Sequence, residues 1–212
     1  MSNAATWNAR YQNAGDDYLF GTNPNHFLAH RVALLSQGSK ALSIADGEGR
    51  NSVWLAELGL DVTAVEISEV AVAKAKRLAA GRNAPVNFLL ADILVPAWPP
   101  KSLFNAFDWV IGIFVQFADP DERKQLFTAM KRATRPGGRI LLQGYTPKQL
   151  EYRTGGPSAV ENLYTRDLLQ DAFSDWAVEE LVEYEDDISE GMGHKGRSAL
   201  IGLVARKPGF DE

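Results

Sequence analysis

Cysteine is absent from this chain of 212 residues. Its absence excludes a disulfide framework, a thiolate metal site and a cysteine nucleophile together, and leaves the redox compartment open. Basic charge is in short supply: 22 Lys and Arg against 27 Asp and Glu give a net charge of −5. A broad phosphate-binding face is therefore not expected, nor is nucleic acid as a partner. No apolar run is long enough to span a bilayer, and Met1 to Tyr11 lacks the apolar core of a secretory signal. A cytoplasmic protein with no membrane partner, monomer or homodimer, is the expectation. Internal repeats, low-complexity tracts and linkers are missing too, so one compact domain follows from the length and the 45% hydrophobic content.

What is present is an alternation. Apolar runs at Ala41–Ala45, Val62–Glu66, Val86–Ala91, Phe107–Ile113 and Arg139–Gly144 have the character of buried strands. Between them, Ser52–Leu58, Val70–Leu78 and Arg123–Ala133 place apolar residues three and four apart with charges opposite, as amphipathic helices do. Alternating strands and helices call for a parallel sheet covered on both faces with right-handed crossovers. Arg135-Pro136-Gly137-Gly138 reads as a sharp turn into the fifth strand. Val178–Glu185 and Ser198–Arg206 have no helix between them, so they are expected to pair antiparallel. Before the first strand, residues 1–38 read as a helical extension, with a helix starting near Pro24 and running to about Leu35. Residues 39–212 then make the main domain.

The chemistry centres on Ala41 to Leu58, where a strand stops in Asp46-Gly47-Glu48-Gly49 and a helix follows. Glycines without a Cβ let backbone N–H groups approach a small polar ligand, beside a helix N-terminus whose first N–H groups are unpaired. Glu66 closes the next strand, at a distance suited to gripping the ribose hydroxyls of a nucleoside cofactor. A nicotinamide dinucleotide would prefer GxGxxG, but Ser52 holds the third glycine position.

These residues resemble the class I S-adenosylmethionine-dependent methyltransferases, and within them the small-molecule branch of tellurite-resistance and thiopurine-type enzymes. The shared features span nearly the whole chain. They are Trp7-Asn8-Ala9-Arg10-Tyr11, Phe20-Gly21-Thr22-Asn23-Pro24, Gly47-Glu48-Gly49-Arg50-Asn51, Glu66, Asp92, the Arg135–Gly138 turn, Thr154-Gly155-Gly156-Pro157, and Glu190-Gly191 with His194 and Gly196. The resemblance implies a Rossmann-like α/β three-layer sandwich, its mostly parallel seven-stranded sheet ending in an antiparallel C-terminal pair. It implies S-adenosyl-L-methionine as cofactor, S-adenosyl-L-homocysteine as product, and a small-molecule methyl acceptor. Two positions depart from the family pattern: Ser43 and Ala45 stand where an acidic residue and a glycine are common. Gln116 stands where many relatives carry histidine.

The resemblance implies a cofactor site built from Ala45, Asp46, Gly47, Glu48, Gly49, Asn51, Glu66, Ile67, Ser68, Ala91, Asp92, Ile93, Ile113 and Phe114. Glu66 would accept from the ribose hydroxyls and Asp92 from the adenine amino group, with Ala91 and Ile93 flanking the ring. Trp7, Arg10 and Tyr11 would fold over the cofactor as a lid, or else dock an amphipathic helix by its aromatics. Phe20, Gln116, Tyr145, Gln149 and His194 would line the substrate side, with His194 as base or donor in the connection between the last two strands. His26 and His30 have helical metal spacing, but without an HExxH glutamate or a third ligand they read as surface residues. Glu183, Glu185, Asp186, Asp187 and Glu190 read as a solvated strand end. No metal site is expected. A noncatalytic S-adenosylmethionine-binding sensor or assembly module is the alternative, ahead of an NAD(P)-dependent oxidoreductase.

Overall fold

The structure is a computed structural model that describes residues 3–209. The outermost residues of both expected segments, 1–2 and 210–212, lie outside it. In chain order the elements are α1 (Asn3–Asn13), α2 (His26–Ala29), β1 (Lys40–Ile44), α3 (Arg50–Glu57), β2 (Asp61–Glu66), α4 (Glu69–Gly81), β3 (Val86–Leu90), β4 (Phe107–Ile113), α5 (Pro120–Ala133), β5 (Thr134–Tyr145), α6 (Gln149–Tyr152), α7 (Arg166–Ala172), β6 (Ala177–Glu190) and β7 (His194–Arg206). Seven strands form one sheet in the order β3-β2-β1-β4-β5-β7-β6. The first five strands run parallel, and β7 pairs antiparallel with both β5 and β6. The strand order reverses between β1 and β4, so the crevice beyond their carboxyl ends is the natural ligand site of such a sheet.

Period-two alternation sorts the core onto two faces. Leu42, Ile44, Val110, Ile140 and Leu142 pack with Leu126 and Met130 of α5 and Leu169 of α7. Ala41, Trp109, Ile111, Leu141 and Val204 face the other way, against Val53 and Leu55 of α3 and Ala79 of α4. Both faces are buried, which is why the central strands read as nearly continuous apolar runs. Helix starts are well specified. Asp119 and Glu122 make a reciprocal capping box at α5 with Pro120 in its first turn, and the Ser68 side chain accepts from Ala71 N–H at α4.

Several boundaries differ from the expectation. No helix runs from Pro24 to Leu35; the chain makes the single turn of α2 and a 3-10 turn at Val32–Leu34. Asn25 explains the short start, since its side chain caps Leu28 N–H while also reaching across the core. The Arg135–Gly138 turn lies inside β5 instead of before it: pairing jumps from Phe107↔Thr134 to Trp109↔Arg139, and the intervening residues loop out. Gly137 and Gly138 bond Lys207 there. The final hairpin is longer than expected, because Glu190 pairs with His194 and only a three-residue turn separates β6 from β7. His194 therefore begins a strand and is not a loop residue.

Candidate active site

A cavity of about 330 Å³ opens at the carboxyl ends of β1, β2, β3 and β4. Its floor begins at β1, where Ala45 holds φ +46. That left-handed conformation suits glycine, and in an alanine it stores roughly 1 kcal/mol. Phe114, at the end of the neighbouring β4, is held likewise at φ +55. Two strained residues on adjacent strand ends turn both chains away from the sheet and open the crevice.

The glycine loop is held from below by two buried carboxylates. Asp46 accepts from the hydroxyls of Ser43 and Ser52 and from Ser52 N–H. Ser43 therefore does not leave a gap; its hydroxyl secures the loop's acid from beneath. Burial raises the Asp46 carboxyl above its ordinary range against the pull of those donors. Glu66 accepts three backbone N–H groups at 2.9 Å: Gly47 on one oxygen, Ile67 and Ser68 on the other. Burial raises it too, opposed by the same N–H groups. A carboxylate offers about four acceptor sites, so Glu66 stays fixed in place with capacity left for a ligand. Gly47 has no room for a side chain, since a Cβ would stand 2.9 Å from the Tyr11 hydroxyl.

Glu48 points from the loop to Lys74 of α4, at 2.8 Å, with both side chains nearly inaccessible. The same ammonium donates to the carbonyls of Tyr11 (3.1 Å) and Asp17 (2.8 Å). Asn8 accepts from the Ser68 hydroxyl. Together these bonds tie α1 and the segment after it to the cofactor loop. Trp7, Arg10 and Tyr11 line the cavity from above, Trp7 stacked on Tyr11 at 5.7 Å and Arg10 lying over the Trp7 and Phe20 rings.

The opposite wall is aromatic. His194 stacks on Phe114 (4.3 Å) and lies tilted against Phe20 (4.7 Å), and Phe114 stacks on Tyr145 at 4.7 Å. The Tyr145 hydroxyl meets His194 Nδ1. Burial, with the positive charges of Arg50 and Arg10, drives the imidazole down to about 3 against the pull of Glu190. Burial likewise raises the Tyr145 phenol, helped by Glu190. The phenol therefore keeps its proton and the imidazole is neutral, the two sharing a hydrogen bond at Nδ1. A neutral ring held at Nδ1 can orient a ligand, and burial makes it a weak base.

Of the expected residues, Ala45, Asp46, Gly47, Glu48, Asn51, Glu66, Ile67, Ala91, Asp92, Ile93, Ile113, Phe114, Phe20, Gln116, Tyr145 and His194 all line this cavity. Three do not. Gly49 turns away at φ +91, where a Cβ would meet Ala75 at 2.9 Å, so it serves close packing of α3 on α4. Ser68 is consumed by its cap and by Asn8. Gln149 bonds Thr154, Gly155 and Ala199, bracing the glycine-rich segment from behind. Gln116 reaches the wall, but its amide is spent on Tyr145 N–H, Tyr145 C=O and Asn162 C=O, so it shapes the cavity without a free polar group. Asp92 turns one oxygen to Leu94 N–H. Arg50, Phe117, Gly155, Pro157 and Gly193 also line the cavity and were not expected there. Their signal was partly visible, since Arg50, Gly155 and Pro157 lie within the family-like motifs.

The acidic strand end divides. Glu183, Glu185, Asp186 and Asp187 are exposed, with Glu185 bridging Lys148 and Arg197. Glu190 is buried, against the expectation of a solvated end; its carboxylate meets Arg50 at 2.7 Å and accepts from Asn25 and His26 N–H. Among the described residues no cluster of three or more His, Asp or Glu is placed to hold a metal. His26 and His30 are exposed on α2 and just beyond it.

Residues 41–138, from β1 into β5, match the methyltransferase domain family. A little under half of the chain is thus similar to that family. Over 133 residues the chain is 29% identical to the demethylmenaquinone methyltransferase of Renibacterium salmoninarum, covering 63% of this chain and 49% of that one. Over 175 residues it is 29% identical to hemagglutinin 1 of Eikenella corrodens, covering 80% and 55%. The chain thus spans about half the length of these curated relatives. The fold is shared with TehB from Haemophilus influenzae (TM-score 0.70, 19% identity, covering 95% of this chain and 67% of that one). It is shared also with a SAM-dependent methyltransferase from Anabaena variabilis (TM-score 0.72, 12% identity, covering 98% and 96%). The domain match indicates S-adenosylmethionine as the cofactor, and the cavity suits it: a buried, fixed acid at the end of β2 and, in the loop after β1, a glycine at position 47 whose backbone is bare toward the cavity.

Proposed function

We propose that the chain catalyses transfer of a methyl group from S-adenosylmethionine to a small-molecule acceptor. The observation that carries this reading is Glu66, clamped by three backbone N–H groups beneath a glycine loop and facing a cavity roofed by α1. In this reading Glu66 takes the ribose hydroxyls, Asp92 the adenine amino group, and Ala91, Ile93 and Ile113 the flat faces of the base. The cofactor supplies an activated methyl on a sulfonium: the sulfur–carbon bond breaks as the bond to the acceptor forms, and the electron pair stays on sulfur.

The protein's own part is position and exclusion of water. Alignment of two reactants contributes roughly 7 to 11 kcal/mol in favourable intramolecular cases, so no side-chain nucleophile is needed. Phe20, Phe114 and His194 form the wall against which the acceptor rests. Tyr145 holds the imidazole through Nδ1, which leaves Nε2 for the acceptor. Trp7, Arg10 and Tyr11 close the cavity as a lid that Lys74 and Asn8 fasten. An acceptor that needs proton removal at the moment of transfer gets little help from His194, so soft or already ionised acceptors suit the site better.

Calorimetry with S-adenosylmethionine, S-adenosylhomocysteine and NAD tests this reading. The first two should bind and NAD should not. Binding of NAD alone would sink it, and tight S-adenosylmethionine binding without turnover across a broad acceptor panel would favour a sensor instead.

A further inference from the structure

Arg50 has no role in the reading above, and its surroundings call for one. It is the first residue of α3 and lines the cavity, yet only 7% of its side chain is exposed. A guanidinium carries five N–H donors. Among the described residues its one polar tie is the ion pair with Glu190, at 2.7 Å from Nη1 to Oε2. That contact uses Nη1, and the remaining donors of the guanidinium have no acceptor among the described residues. A guanidinium that turns one nitrogen to a single carboxylate and lines a cavity has donors left for a second anionic partner.

The charges along the cavity say which side that partner occupies. Asp46, Glu48, Glu66 and Asp92 line the side built from β1 to β3. Arg50 leaves the same loop as Asp46 and Glu48, but its guanidinium ends at Glu190, which pairs with His194 across the β6–β7 turn; this sets it beside the His194–Tyr145 wall, where its positive charge acts on both side chains as it does on Asp46. Glu190 holds Arg50 in that position, and is itself held by Asn25 and by His26 N–H.

We propose that Arg50 is an anion-recognition residue of the acceptor side, that Glu190 positions it, and that the methyl acceptor is a small anion with an apolar body. The carboxylate or oxyanion meets the guanidinium, and the apolar body lies against Phe20, Phe114 and Phe117. The proposal rests on the methyltransferase reading for the word acceptor, but the anion site stands on Arg50 alone. A charged hydrogen-bonded pair in such a site discriminates by about tenfold to a hundredfold.

The test uses benzoate and its nearly isosteric neutral counterpart benzamide, titrated into the full chain saturated with S-adenosylhomocysteine. Benzoate should bind at least about tenfold tighter than benzamide. Arg50→Met should abolish that preference, and Arg50→Lys should restore part of it. Because Arg50→Met strands the Glu190 charge and could fail to fold, Arg50→Met with Glu190→Gln is the companion variant, and it should lose the preference while keeping S-adenosylhomocysteine affinity. No benzoate binding to the wild type, no preference over benzamide, or a preference retained in the double variant overturns the proposal. Loss of S-adenosylhomocysteine affinity in the double variant also overturns it, by reassigning Arg50 to the carboxylate of the cofactor. If the wild type binds neither cofactor form, the methyltransferase reading fails by itself, and the same titration on cofactor-free protein still decides the anion site.

Discussion

Lys74→Met is the most demanding test of how α1 is fastened over the cavity. The ammonium is buried and spends all three donors, on Glu48, on Tyr11 C=O and on Asp17 C=O. Methionine keeps the apolar stem but removes the charge. Glu48 would then be a buried carboxylate with no counter-ion, and its second oxygen already lacks a partner. Removing one member of a buried pair costs about 3 to 5 kcal/mol, because the charge left behind is uncompensated. Urea unfolding followed by circular dichroism measures that loss directly. Lys74→Met with Glu48→Gln removes the stranded charge and should recover more than half of it, while leaving the carbonyls of Tyr11 and Asp17 without their donor. Both variants should bind S-adenosylmethionine more weakly than wild type, since the roof residues Trp7, Arg10 and Tyr11 lose their tether. A single variant that loses under about 1 kcal/mol, or a double variant less stable than the single, would refute the reasoning.

Glu66→Ala should weaken S-adenosylmethionine binding by about 1 to 3 kcal/mol, and unchanged affinity by calorimetry in a folded variant would count against the ribose contact. Because burial raises Glu66, affinity should fall with acidification already above the ordinary carboxylate range, as its acceptor capacity is lost. Ala45→Gly should stabilise the fold by about 1 kcal/mol in urea unfolding by relieving the left-handed alanine; no gain would mean that the loop relaxes its own strain. Tyr145→Phe should slow turnover while sparing cofactor affinity, because the imidazole loses the partner that holds it through Nδ1. For His194 the folded value lies below the unfolded one, so its neutral form contributes stability that is present above 6.5 and is lost as pH falls toward about 3. Turnover should accordingly show no inflection from His194 near neutrality, and an inflection near 6.5 that vanishes in His194→Ala would refute this.

The sheet was legible because its signals are local. Buried parallel strands make short apolar runs, helices carry their own period, and the missing helix between Val178 and Arg206 announced an antiparallel pair. Boundaries failed where one residue answers to distant partners. Asn25 caps α2 but also reaches Gln143 and Glu190, so the helix begins late and stops after one turn. Lys74 sits in an amphipathic helix whose charges read as a solvent face, yet it lies under α1 and is buried. Only the tertiary position of Glu48 could reveal that.

The site divides along the same line. Glycines and acids at strand ends are visible in sequence because each follows its own apolar run by one or two residues. What such reading misses is the use already made of a polar group. Gln116 and Gln149 have the right chemistry for a substrate pocket, but backbone amides and carbonyls consume them. Arg50 is the converse case. A sequence offers it as one more helix-starting arginine, and only the burial of its side chain beside Glu190, with donors unspent, distinguishes it. In this cavity a polar residue becomes a candidate for recognition through the hydrogen bonds it has left to make, and by that criterion Arg50 and the Nε2 of His194 stand ahead of either glutamine.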